Sequence, residues 1–153
     1  MPDPASRPIL LNRRGRRRFE ILQEFEAGLV LTGTEAKALR EGKGSIEEAF
    51  ARVKRGQVDL IGMNLPPYSH DGAPANEPDR PRRCLLHKWE IRRIEAELGR
   101  KGLTLIPLEV SFKGPWAKVR LGLARGLKIH DVRAKQAERE ARRSIEQATR
   151  RRR

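Results

Sequence analysis

The sequence predicts a mainly β protein: a small antiparallel barrel of about six strands with two flanking helices and a basic C-terminal tail. Three observations carry that prediction. Short segments of alternating apolar and polar residues recur between residues 19 and 123. Glycine- and proline-bearing turns separate them, and the regular strand-helix-strand alternation that a parallel sheet needs is missing.

Residues 1–11 contain Pro2, Pro4 and Pro8 without periodicity and read as a disordered leader. After the run Arg13, Arg14, Arg16, Arg17, Arg18, the residues Phe19, Ile21 and Phe25 alternate with Glu20 and Glu24, and Ala27, Leu29 and Leu31 follow. This pattern predicts two short strands around the polar Glu24 to Glu26. Thr32-Gly-Thr-Glu35 fits a capping box, in which the threonine hydroxyl and the glutamate carboxylate each satisfy a backbone amide of the other residue. With Ala36, Ala38 and Leu39 behind it and Gly42 as a stop, it opens the first helix.

Ala49 to Lys54 and Gln57 to Met63 form a hairpin about Arg55-Gly56, where glycine can take positive φ. Residues 64–83, with five prolines, make an irregular excursion that is long for so small a domain. Leu85 to Leu98 reads as an amphipathic second helix with Ile91, Ile94 and Leu98 inward. Leu103 to Phe112 and Trp116 to Leu123 are the strongest strand pair. In the latter, Ala117, Val119, Leu121 and Leu123 alternate with Lys118, Arg120 and Gly122, one dry face and one wet. In the former, Leu103 and Leu105 differ in parity from Ile106, Leu108, Val110 and Phe112, which places a bulge near Ile106-Pro107.

From Gly126 onward Ile129, Val132, Ala137, Ala141, Ile145 and Ala148 keep helical spacing. Small side chains among so many charges bury too little area to hold a helix alone. Residues 126–153 are therefore expected to be disordered when free and helical on a target, which leaves 12–125 as the folded body.

Charge narrows the function. The chain carries 34 Lys and Arg against 20 Asp and Glu, net +14, which is the balance of a polyanion binder. Residues 1–18 hold six arginines against Asp3, and residues 126–153 hold ten basic against four acidic side chains. The middle of the chain, with 18 basic and 15 acidic groups, is close to neutral. Five arginines in the six positions from 13 to 18 suit phosphate and base edges, because the guanidinium is a planar fork of donors. With aromatics at 5%, shape and backbone contacts are expected to outweigh base stacking. Trp89, Trp116 and Cys84 are read as packing residues, His87 as structural, and His70 as lacking partners at metal spacing.

Other classes fit poorly. No Cys/His or Ser/His/Asp arrangement, metal-ligand cluster or phosphate-binding glycine loop appears, so catalysis and a resident cofactor or metal are not expected. No apolar run approaches the roughly 18 residues of a spanning helix. The arginines follow the short apolar patch at Ile9 to Leu11, the reverse of a secretory signal, and a single cysteine cannot form an internal disulfide. A cytoplasmic location is the expectation.

Six segments then occur in order: Asn12-Arg-Arg-Gly-Arg16; Phe25-Glu-Ala-Gly28; Leu31-Thr-Gly-Thr-Glu35 with Lys37 and Leu39-Arg40; Arg80-Pro-Arg82 with Leu85-Leu-His87; Leu105-Ile-Pro-Leu108; and Gly122-Leu-Ala-Arg-Gly126 with His130-Asp131 and Arg133. Any one is weak, but the ordered set, spanning about four fifths of the chain, resembles the SsrA-binding protein (SmpB) family. The resemblance implies an oligonucleotide-binding-type (OB-type) barrel that serves as an RNA-binding adaptor rather than a catalyst. Its body would hold the tRNA-like domain of transfer-messenger RNA (tmRNA). Its tail would occupy the decoding centre of a stalled ribosome, against small-subunit rRNA, for trans-translation: ribosome rescue with peptide tagging. Elongation factor Tu and alanyl-tRNA synthetase are further partners it raises, and a monomer is expected.

By the same resemblance the tmRNA face includes Asn12, Arg13, Arg14, Arg16, Arg17, Glu35, Lys37, Arg40 and Lys118. The ribosome-directed tail includes Gly126, Lys128, His130, Asp131, Arg133 and Ile145. Glu35 has a second reading, as the carboxylate of the capping box; toward RNA it would have to accept from a base or ribose donor, since phosphate repels it. The chain departs from the family pattern at Arg17 (usually His), Phe19 (usually Tyr), Ala36 and Ala38, and at Leu127 and Val132, where lysines are usual. A generic OB-fold binder of single strands and a structural ribosomal component remain as alternatives.

Overall fold

In the computed structural model, residues 7–67, 77–100, 102–127 and 129–151 are described; most of the expected leader, His70 and Lys128 lie outside them. Seven strands form: β1 (Leu10–Leu11), β2 (Phe19–Leu29), β3 (Phe50–Lys54), β4 (Gln57–Ile61), β5 (Arg82–Leu85), β6 (Leu103–Lys113) and β7 (Trp116–Gly126). The helices are α1 (Arg13–Arg18), α2 (Gly33–Arg40), α3 (Lys88–Leu98) and α4 (Ile129–Arg151). Every pairing is antiparallel, and the order β6-β3-β4-β5-β2-β7 returns from β7 to β6, so six strands close on themselves while β1 lies along β6. This is the mainly β antiparallel architecture with helices that the alternation predicts.

Several boundaries differ from expectation for physical reasons. Leu10 and Leu11, assigned to the leader, pair with Val110 and Glu109, because Leu10 finds a buried place in the core. Phe19 to Leu29 is one strand, not two. Its acidic stretch is held by β7, where Glu26 lies opposite Arg120, whose guanidinium also reaches Glu24 at 3.4 Å. Leu85 belongs to β5 rather than to the second helix, which starts at Lys88. The β3-β4 turn has positive φ at both Arg55 and Gly56, the geometry that matches the twist of a two-residue hairpin.

The expected bulge is present. β6 shifts register on β7 between Pro107 and Glu109, leaving Leu108 without an opposite number. The extra residue resets the facing of the strand. Leu105, Val110 and Phe112 point into the main core with Phe25, Leu39, Leu60, Ile94, Val119 and Leu121, whereas Ile106 and Leu108 turn to a second cluster with Ala124, Phe19 and Ile21. Gly122, assigned to the wet face, lies instead beneath this second cluster: a Cβ there would approach Leu108 Cδ1 to 2.9 Å.

Candidate nucleic-acid interface

The arginine run is helical because Asn12 makes it so. The Asn12 side chain accepts from the Gly15 amide at 2.8 Å, capping α1, and donates to the Pro107 carbonyl at 2.8 Å, at the bulge of β6. Its own amide donates to the Leu108 carbonyl. Asn12 is therefore buried, its side-chain amide held between α1 and the bulge of β6. Gly15 faces the same asparagine, and a Cβ there would lie 2.6 Å from Nδ2. Around this anchor Arg13 and Arg17 are exposed and Arg16 is half-buried. Arg14 pairs with Glu48 at 2.9 Å, and Arg16 lies 3.7 Å from Glu24.

Glu35 is likewise interior, at 4% exposure. The capping box forms: the Glu35 amide donates to the Thr32 hydroxyl, and the Thr32 amide donates to the Glu35 carboxylate. The same carboxylate accepts from Arg80 and from Arg82, whose Nε is 2.9 Å away. Burial by itself raises the Glu35 carboxyl, but the hydrogen bonds from Arg80, Thr32 and Arg82, with the charge of Arg82, outweigh it and hold the group below its ordinary range. Both Glu35 oxygens thus accept from the protein's own donors, in keeping with the capping-box reading. What the capping box does present is α2, with Lys37 and Arg40 exposed three residues apart; Arg40 lies over the Phe112 ring at 4.1 Å.

A second face surrounds Lys118. Two grooves of about 370 and 360 Å³ share Gly28, Leu85 and Lys118. One is walled by Val30 and Trp116, the other by Glu26 and His87. The two tryptophans correct their reading as packing residues: Trp116 is 70% exposed and Trp89 is 62% exposed. The His87 ring stacks on Trp89, with centroids 6.5 Å apart and planes 9° from parallel. Sequence missed this face because aromatic scarcity hides where the few aromatics lie; only the pairing of Gly28 with both Leu85 and Lys118 assembles it.

The tail leaves the opposite end of the β2-β7 strand pair. Lys118 pairs with Gly28, whereas Gly126 pairs with Phe19 next to α1. Eight residue steps of extended strand set the two sites about 27 Å apart. Past Gly126, the Leu127 amide donates to the Arg18 carbonyl. His130 and Asp131 lie in the first turn of α4, and Arg133 and Ile145 are exposed along it. Lys135, not singled out by sequence, donates from Nζ to the carbonyls of Arg16 at 2.8 Å and Phe19 at 3.2 Å. Burial, together with nearby Arg139 and Arg16, shifts its ammonium below the ordinary lysine value despite Glu20.

A closed antiparallel β body with an arginine helix at one end and an aromatic, lysine-bearing face at the other defines a small basic nucleic-acid-binding protein. The SmpB protein family model matches residues 9–151. The SsrA-binding protein of Pelotomaculum thermopropionicum is 48% identical over 144 residues, covering 94% of each chain. That of Gloeobacter violaceus is 45% identical over 99% of this chain and all of its own. A solved chain from "tmRNA-SmpB: a journey to the center of the bacterial ribosome" superposes with a TM-score of 0.67 at 43% identity, covering 82% of this chain and 86% of the other. The chain belongs to the SsrA-binding protein (SmpB) family. Among the described residues no helix is long and apolar enough to cross a membrane.

Proposed function

We propose that this protein is an RNA-binding adaptor, not a catalyst, that carries tmRNA to stalled ribosomes for trans-translation in the cytoplasm. The observation that carries the reading is the separation of two unlike surfaces at opposite ends of the β2-β7 strand pair. The Lys118 face combines a cation with exposed Trp116, Leu85 and the His87-Trp89 stack, means of holding unpaired bases against a folded RNA. We assign it, with Lys37 and Arg40 of α2, to the tRNA-like domain. The α1 arginines Arg13, Arg14, Arg16 and Arg17 and the tail, including Gly126, Lys128, His130, Asp131, Arg133 and Ile145, form the cationic end that meets RNA backbone, with the tail directed to the decoding centre. Asn12 and Glu35 serve this interface by positioning α1 and α2.

The test separates the ends. A chain truncated after Leu127 retains the Lys118 face, so it should still prefer a folded tRNA-like domain transcript to an unstructured RNA of equal length, yet fail to support tagging on stalled ribosomes. The exposed tryptophans favour one rival, a binder of single strands without preference. Equal affinity for the two RNAs at physiological salt would select that rival, and stoichiometric presence on all ribosomes would select a structural component.

A further inference from the structure

The C-terminus of α1 is completed by the tail. The last carbonyls of a helix have no partners within it. Here those of Arg16, Arg18 and Phe19 receive Lys135 Nζ, the Leu127 amide and Lys135 Nζ respectively. Lys135, Arg139 and Arg143 recur every four residues, so they share one side of α4. Fixing Lys135 on α1 brings the other two along. The result is a cavity of about 520 Å³ between α1 and α4, lined by Arg13, Arg16, Arg17, Arg139 and Arg143, with Glu47 as the one carboxylate on its wall.

Five guanidinium groups about one cavity repel one another, and like charges at four-residue spacing disfavour each helix. Against the five stand two carboxylates, Glu47 on the wall and Glu24 at 3.7 Å from Arg16. A chain of phosphates favours the gathering, since each guanidinium can donate two parallel hydrogen bonds to one phosphate.

We propose that α1 and α4 form a single composite site for an RNA phosphodiester backbone, in which Lys135 is the positioning residue that brings Arg139 and Arg143 over α1. The proposal rests on the reading of the α1 arginines as RNA contacts. It changes the role of the tail: before reaching any distant target, its first turns act as the second jaw of a clamp on the body. The backbone can come from the tRNA-like domain or from ribosomal RNA.

The experiment is a salt titration of binding by the full chain, to a transcript of the tRNA-like domain and, separately, to purified small ribosomal subunits. On the RNA that fills the site, Arg139→Gln with Arg143→Gln should lower the log-log salt slope by about 1.4 to 1.8, two lost phosphate contacts. Lys135→Met removes one charge but should flatten the slope as much as the pair, and combining all three changes should add little. Whichever RNA shows the loss is the source. Lys54→Gln with Arg55→Gln removes equal charge from the exposed β3-β4 turn, to which no RNA contact is assigned, and should leave the slope unchanged; an equal loss there means bulk charge and overturns the proposal. So do unchanged slopes for the Arg139 and Arg143 pair on both RNAs, or a harmless Lys135→Met. Should Arg13→Gln, Arg16→Gln and Arg17→Gln together flatten the slope while the tail variants do not, only the shared site fails. If the α1 variant also has no effect, the reading of α1 falls with it.

Discussion

Arg82 and Glu35 meet across 47 residues of chain with their side chains closed to water: Arg82 Nε donates to Glu35 Oε2 at 2.9 Å, and the two are 0% and 4% exposed. The rest of the guanidinium is satisfied by the carbonyls of Met63, Arg80 and Pro78. One arginine thus binds the start of α2, the end of the β4 segment and the return from the proline-rich excursion. The exposed Lys37 and Arg40 keep their place on the body through it.

Replacing one member of such a pair leaves the other charge buried and uncompensated. Glu35→Gln should destabilise the fold by about 3 to 5 kcal/mol, against about 1 for Thr32→Ala, which removes the cap alone. Urea midpoints decide: equal losses would mean that Glu35 acts only as a capping residue.

The same group sets an acid limit. Because the folded-state carboxyl is held below its ordinary range, its stabilisation is fully present above the unfolded value of about 4.3 and disappears as pH falls through the lower folded value. The urea midpoint of the wild type should therefore drop between pH 5 and pH 2 by more than that of Glu35→Gln. Parallel curves would count against the ion pair.

Gly122→Ala places a methyl group 2.9 Å from Leu108 Cδ1 and 3.2 Å from Ile21 Cγ2. Overpacking of this kind costs about 1 to 3 kcal/mol. Adding Leu108→Val should return part of the loss. A Gly122→Ala variant as stable as wild type would show that the second cluster is loose.

Trp116→Ala should leave the thermal midpoint nearly unchanged, since the ring is 70% exposed. Affinity for the tRNA-like domain should fall by about 1 to 3 kcal/mol, the range of one lost base stack. Anisotropy titration beside a melting curve separates these effects, and unaltered affinity would remove this face from the interface.

Along α4, residues 133–151 are exposed apart from half-buried Lys135, and one Glu138–Arg142 pair at 2.8 Å supports the helix. Such a pair contributes about 0.3 to 0.5 kcal/mol, far less than packing supplies to a typical helix. Hydrogen exchange should show these amides to be the least protected in the free protein and to gain protection on the ribosome. Protection equal to that of β7 in the free chain would contradict coupled folding.

How much was legible follows from where each interaction partner lies. Thr32 and Glu35 are three residues apart, so their capping box is readable directly. The bulge at Pro107 is readable because the parity change lies within one strand. Arg82 could not be recognised as interior, because its acceptors come from Glu35, Met63 and Pro78 and the surrounding prolines suggest a surface loop. Nor does Arg-Arg-Gly-Arg-Arg-Arg announce a helix; it becomes one because Asn12 finds the Pro107 carbonyl 95 residues away. At the candidate interface, charge pointed to the arginine end, while only the fold shows that Asn12 and Glu35 are buried and that Trp116 and Trp89 are exposed.

The closure of the strand circuit is uneven. β6 and β7 run together along nearly their whole length, but β3 meets β6 through the single pair Ala51 and Leu105. That seam is expected to open early on warming, and the Arg14–Glu48 pair just ahead of β3 ties it to α1. Among the described strands of the circuit, the shortest pairing therefore lies beside the arginine helix.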